Sequence, residues 1–150
     1  MFRKKGGKLE VLLAHPGGPY FKSKDDGIWT VPKGEVEEGE DLFTRAKIEF
    51  EEELGVAPAA GALIELGSIK QKGGKRVHAW AFEGDLKKDF KLVSNTFEME
   101  WPPHSGKTES FPEVDRVAFL PLGAARFKIK ATQEAFLDGL IDALNSRASG

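Results

Sequence analysis

Apolar positions along this chain follow two different periods. From Glu40 to Leu54, Phe43, Ala46, Phe50 and Leu54 recur at helical spacing, and Gly55 stands where a helix ends. Thr132 to Ser146 carries a second stripe, Ala135, Phe136, Leu140, Ala143 and Leu144, with Thr132 as its expected N-cap. A shorter helical stretch is predicted over Leu122 to Phe127. Leu9 to His15 is instead predicted as a strand whose continuous apolar middle is the mark of a central strand buried on both faces. Phe2 to Lys5 is predicted to pair with it across a Gly6-Gly7 turn.

Further strands are predicted downstream. Ile28 to Val31 is a short extended piece that runs into Pro32-Lys33-Gly34. Leu63 to Gln71 and Arg76 to Phe82 flank Lys72-Gly73-Gly74-Lys75, a hairpin turn. Leu92 to Glu100 is expected to be a strand, followed by a loop from Trp101 to Pro112 and a short strand from Arg116 to Leu120. Few helices and many strands predict an α/β chain, an α/β/α sandwich around a mixed sheet. No repeat, low-complexity tract or linker interrupts it, so one domain over residues 1–150 is expected.

Composition narrows the partners. The chain has 40% hydrophobic and 31% charged residues, ordinary globular values. Its formal net charge is −2, which predicts no bulk attraction to nucleic acid or an anionic membrane. It has no cysteine, so disulfides and thiolate metal sites are excluded. The N-terminal apolar run, Leu9 to Ala14, is too short for a signal peptide or a membrane span. A soluble, cytoplasmic protein is expected.

The stretch from Gly34 to Val56 concentrates the chemistry. At about 100° per residue, placing Glu49 at zero puts Glu53 at about 40° and Glu52 at about 300°, on one face. Glu51 falls near 200°, away from that trio. Three clustered carboxylates repel unless water or a cation relieves them. Gly34, lacking a Cβ, can bring its backbone close to a ligand. The result is an oxygen-rich site suited to a hard divalent cation such as Mg²⁺.

The same stretch resembles the Nudix box, G-x5-E-x7-R-E-U-x-E-E-x-G-U, where U is a bulky apolar residue. Gly34, Glu40, Glu49, Phe50, Glu52, Glu53, Gly55 and Val56 fall at its spacing. The resemblance implies a Mg²⁺- or Mn²⁺-dependent hydrolase of nucleoside diphosphates linked to another group. It implies Glu49, Glu52 and Glu53 as metal ligands, with the Gly34 carbonyl as an additional one. Glu49 is open to either metal ligation or water activation. The resemblance also implies a further acidic ligand or base downstream, for which Glu113 is the first choice and Glu109 the second. One position departs from the pattern: Ile48 occupies the Arg slot. Arg45, near 320° on the wheel, is expected to replace part of the missing charge.

Other residues suit a phosphorylated ligand. Lys33, Lys70, Lys72, Lys75 and Arg76 can form a positive wall, although Lys72 and Lys75 also fit a solvated hairpin. Tyr20, Trp29, Trp80 and Trp101 can stack a base, and Trp101, in a Pro/Gly loop, is expected to be the exposed one. His15, His78 and His104 lack zinc-ligand spacing and are expected to be structural or superficial. Substrate contacts are therefore assigned to Lys33, Arg76 and Trp101. The expected partner is a small nucleotide or polyphosphate, such as a nucleoside triphosphate or dinucleoside polyphosphate. The alternative reading is a nucleotide-binding module of the same fold with weakened catalysis, which Ile48 keeps open.

Overall fold

The computed structural model describes residues 1–31, 44, 48, 51, 64–70, 76–86, 92 and 96–149. Three strands form one sheet in the order β1-β2-β7: β1 (Phe2–Lys5), β2 (Lys8–Pro16) and β7 (Val114–Pro121). The predicted β1–β2 hairpin is present, with Phe2 opposite Val11 and Lys5 opposite Lys8. Gly6 and Gly7 both adopt positive φ, 60° and 79°, which lets a two-residue turn follow the strand twist.

β2 is central because both of its faces find cover. Val11 and Leu13 point into a cluster with Phe2, Trp29, Ile64, Ala81, Ala125, Ile129, Leu137 and Leu140. Leu12 points the other way, against Met1 and Phe82. Period-two alternation thus makes one continuous apolar run serve two apolar clusters.

β3 (Ile64–Lys70) and β4 (Arg76–Ala81) pair antiparallel, as predicted. Helix α1 spans Leu122–Lys128, and α2 spans Glu134–Ser149 and packs on β3. Parallel bridges join Phe2 to Glu83 and Trp29 to Ile129, so the pairing is mixed. The architecture is an α/β fold. Among the described residues no helix is long and apolar enough to cross a membrane.

Four expectations need correction. The expected loop to Pro112 contains a strand, β6 (Thr108–Pro112), paired with β5 (Thr96–Glu100). Only Phe111 in it is half-buried, so it gives no apolar alternation, and its pairing with β5 holds it extended. The β5 strand is also shorter than predicted, since Leu92 lies outside it. Thr132 does not cap α2; it lies within a 3₁₀ turn, Ala131–Gln133, that precedes the helix. Ala135 is exposed, and Leu137 joins Phe136 and Leu140 in the core instead.

Candidate functional site

Two constraints bring distant residues to the turn that follows β2. A register shift between β2 and β7 falls at His15 and Pro16, which pair with Arg116 and Val114. Asp115 is the extra residue of this bulge, and a bulge re-aims the side chains beside it. Just beyond, the Gly17 N–H donates to the Glu113 carbonyl at 2.9 Å. A Cβ on Gly17 would lie 2.0 Å from the Pro112 carbonyl oxygen, so only glycine allows this approach. Gly18 has φ 97° and lies under the ring of Phe97. The β5–β6 hairpin therefore closes on the turn at residues 17–20.

Three of the residues singled out in the sequence, Glu113, Trp101 and Tyr20, lie there. Glu113 occupies the bend between β6 and β7 and is exposed. Its carboxylate has no hydrogen-bond or ion-pair partner among the described residues. Trp101 sits at the end of β5, where its N–H donates to the Lys107 carbonyl at 2.9 Å. Its ring meets that of Tyr20 edge to face, with centroids 5.5 Å apart and planes at 85°. This corrects the expectation that Trp101 is the exposed aromatic: it is half-buried, and Tyr20 is 54% exposed. Trp29 is buried in the core, and Trp80 is half-buried beside His78. Glu109 is exposed on β6 opposite Met99.

Behind the turn lies a polar network that sequence reasoning missed. His15 is fully buried. Its Nε2 donates to the Lys24 carbonyl at 2.7 Å, and its Nδ1 pairs with the Asp115 carboxylate at 2.8 Å. The Trp29 indole N–H donates to Asp25 at 2.8 Å. Lys128 pairs with Asp25 and, at 2.9 Å, with Asp26. The Lys128 hydrogen bond, and after it that of Trp29, holds the Asp25 carboxyl below the usual carboxylate range. The Arg116 guanidinium lies 5.4 Å from the Trp29 ring. These contacts fasten residues 17–27 to β2, β7 and α1. The clue in the sequence was a histidine closing an apolar run, but its partners are 9 and 100 residues away.

The same arrangement sets the path toward Gly34. Thr30 exchanges backbone hydrogen bonds with Ala14 at 2.8 and 2.9 Å. Trp29 does the same with Lys128 and Lys130, at 2.9 and 2.8 Å. The Val31 N–H donates to Oε1 of Gln133, a fully buried side chain, at 2.9 Å. Gln133 Nε2 has no hydrogen-bond partner among the described residues. The extended piece is thus gripped on both sides as it reaches residue 31.

Lys33, Gly34, Arg45, Glu49, Glu52, Glu53, Lys72 and Lys75 lie outside the described residues, as does the side chain of Arg76, which opens β4 opposite Lys70. Thr44, Ile48 and Glu51 are helical and exposed, as the predicted helix requires. Among the described residues, no group of three or more His, Asp or Glu is placed to hold a metal ion.

Comparison with known proteins bears on the whole chain. No curated protein matches it. Among solved structures it is similar to a C. elegans Ap4A hydrolase in a binary complex, with TM-score 0.65 and 23% identity, over 97% of this chain and 94% of that one. It is similar to the NUDIX domain of Shewanella oneidensis NrtR complexed with ADP ribose, with TM-score 0.62 and 14% identity, over 95% and 82%. A mutT/nudix family protein from Listeria innocua gives TM-score 0.62 and 18% identity, over 97% and 90%. At these identities the likeness shows a common fold. The family model for the NUDIX domain matches residues 1–140. With that match covering nearly all of the sequence, the chain belongs to the Nudix family.

Proposed function

We propose that this chain hydrolyses the pyrophosphate linkage of nucleoside diphosphate derivatives, namely nucleoside triphosphates or dinucleoside polyphosphates, with Mg²⁺ or Mn²⁺. The observation that carries this reading is the box from Gly34 to Val56, eight positions at family spacing within the matched residues. The similar structures named for Ap4A hydrolysis and for an ADP-ribose complex support a nucleotide substrate.

Glu49, Glu52 and Glu53, with the Gly34 carbonyl, would hold the cation. Their all-oxygen donor set fits a hard divalent ion, which Nudix hydrolases generally use. Such an ion supplies charge neutralisation at the pyrophosphate and a lowered pKa for attacking water. Lys33 and Arg76 bind phosphate oxygens, and Trp101 contacts the nucleoside. The water oxygen forms the new bond to phosphorus, and the bridging oxygen leaves with the other phosphate. Glu113 accepts the water proton, a role its exposed carboxylate suits. Apolar clusters on both faces of β2 support one domain over residues 1–150.

Ile48 favours a second reading, a nucleotide-binding module with weakened catalysis, because it is an exposed apolar residue at the Arg position. One experiment separates the two. Phosphate release is followed from a panel of nucleoside triphosphates and dinucleoside polyphosphates, with and without Mg²⁺. Mg²⁺-dependent release that falls by about 100-fold or more in Glu52→Gln or Glu53→Gln supports hydrolysis. Nucleotide binding without release favours the module.

A further inference from the structure

We propose that Tyr20 and Trp101 together form a nucleobase-binding corner, with Tyr20 as a specificity-determining residue. This rests on the nucleotide-hydrolase reading and adds a residue and a geometry to it. The two rings come from turns far apart in sequence and meet at 85°, with centroids 5.5 Å apart. Rings at right angles make two walls, one to stack on a planar base and one to meet its edge. Tyr20 is 54% exposed, so much of its ring surface remains open to a ligand.

Three features favour a nucleobase over an aliphatic or peptide ligand. First, the pair offers polar groups beside flat apolar surface: neither the Tyr20 hydroxyl nor the Trp101 indole N–H has a hydrogen-bond partner among the described residues. A base presents both a π-face and a hydrogen-bonding edge. Second, the exposed cation Lys22 lies on the same loop as Tyr20, and Lys107 lies across the hairpin base from Trp101. They suit the phosphates that accompany a base. Third, the corner is built around the turn whose Gly17 N–H is bonded to the Glu113 carbonyl at 2.9 Å. The base contact and the proposed proton acceptor thus belong to one structural unit.

The corner is held in place rather than assembled on demand. Gly17 and Gly18 bring the turn against Pro112 and Phe97, and His15 fixes the far end of the loop through the Lys24 carbonyl. A pre-formed platform loses little conformational entropy when a base stacks on it.

The test reads equilibrium binding rather than turnover. Non-hydrolysable analogues of ATP and GTP are compared with methylenediphosphonate, which has the bridged phosphates and no base. In the unaltered protein at least one nucleotide analogue binds more tightly than the base-free probe. Tyr20→Ala lowers that ratio by about 5- to 100-fold, and Tyr20→Phe preserves most of it. Circular dichroism confirms that the exposed substitution leaves the fold intact. Equal weakening of base-bearing and base-free probes would overturn the proposal, because it would make the pair a mere tether between loop and hairpin. So would an unaltered protein that binds the base-free probe as tightly as both nucleotides. Because hydrolysis does not enter the measurement, loss of the catalytic reading and loss of this subsite give different results.

Discussion

His15 and Asp115 pair at 2.8 Å across the bulge that separates β2 from the start of β7. The imidazole has no exposed surface, and its other nitrogen is bonded to the Lys24 carbonyl at 2.7 Å. One ring therefore joins the central strand, the loop after it and the strand that begins just beyond Glu113. His15→Ala removes both hydrogen bonds and leaves a cavity, and it should cost roughly 2–4 kcal/mol in urea unfolding. In a double-mutant cycle with Asp115→Ala, the coupling should be about 0.5–3 kcal/mol. Strict additivity would show that the pair contributes nothing of its own.

Gly17 has no room for a side chain. Its Cβ would fall 2.0 Å from the backbone oxygen of Pro112, an atom that cannot rotate aside. Gly17→Ala should therefore push the β5–β6 hairpin away and destabilise the protein by about 1–3 kcal/mol. It should also disturb the Tyr20–Trp101 contact, visible as a change in tryptophan fluorescence. An unchanged thermal midpoint and an unchanged spectrum would contradict the close approach.

Asp25 links stability to acid pH. Its carboxyl is held below the usual range by Lys128 and then by the Trp29 indole. A depressed carboxylate contributes stability that is fully present above its unfolded-state value, about 3.9, and is lost as pH falls through the folded-state value. Asp25→Asn should lower the urea midpoint at pH 7 and narrow the difference between the midpoints at pH 7 and pH 3. The parent difference persisting in full would assign acid sensitivity to other carboxylates.

Glu113 should be separable from Glu109 by kinetics. If Glu113 accepts the proton, Glu113→Gln lowers kcat by about 100-fold or more while Glu109→Gln has a smaller effect. A loss under tenfold in Glu113→Gln would remove it from the central role.

The Ile48 position can be probed from both sides. If Arg45 replaces part of the missing charge, Arg45→Ala lowers metal affinity and turnover by about tenfold or more. Unchanged values would end that explanation. A large rise in activity on Ile48→Arg would show that the natural sequence is attenuated.

The sequence by itself determined what depends on local order. Consecutive apolar residues from Val11 to Ala14 identified the central strand, because no half-exposed strand can carry them. Gly6-Gly7 specified a turn that few other residue pairs can adopt. The spacing of Gly34, Glu40, Glu49, Phe50, Glu52, Glu53, Gly55 and Val56 resembles the Nudix box, and the family model for the NUDIX domain matches residues 1–140. Only tertiary structure decided which distant groups meet. Thr108–Pro112 is a strand because β5 pairs with it, and nothing in its own residues demands that. Asp115 reaches His15 because one extra residue enters the β7 ladder. Tyr20 meets Trp101 because two glycines let the hairpin close on the loop. Such contacts depend on register and close approach between separated segments, and neither quantity is encoded in the spacing of residues along one segment.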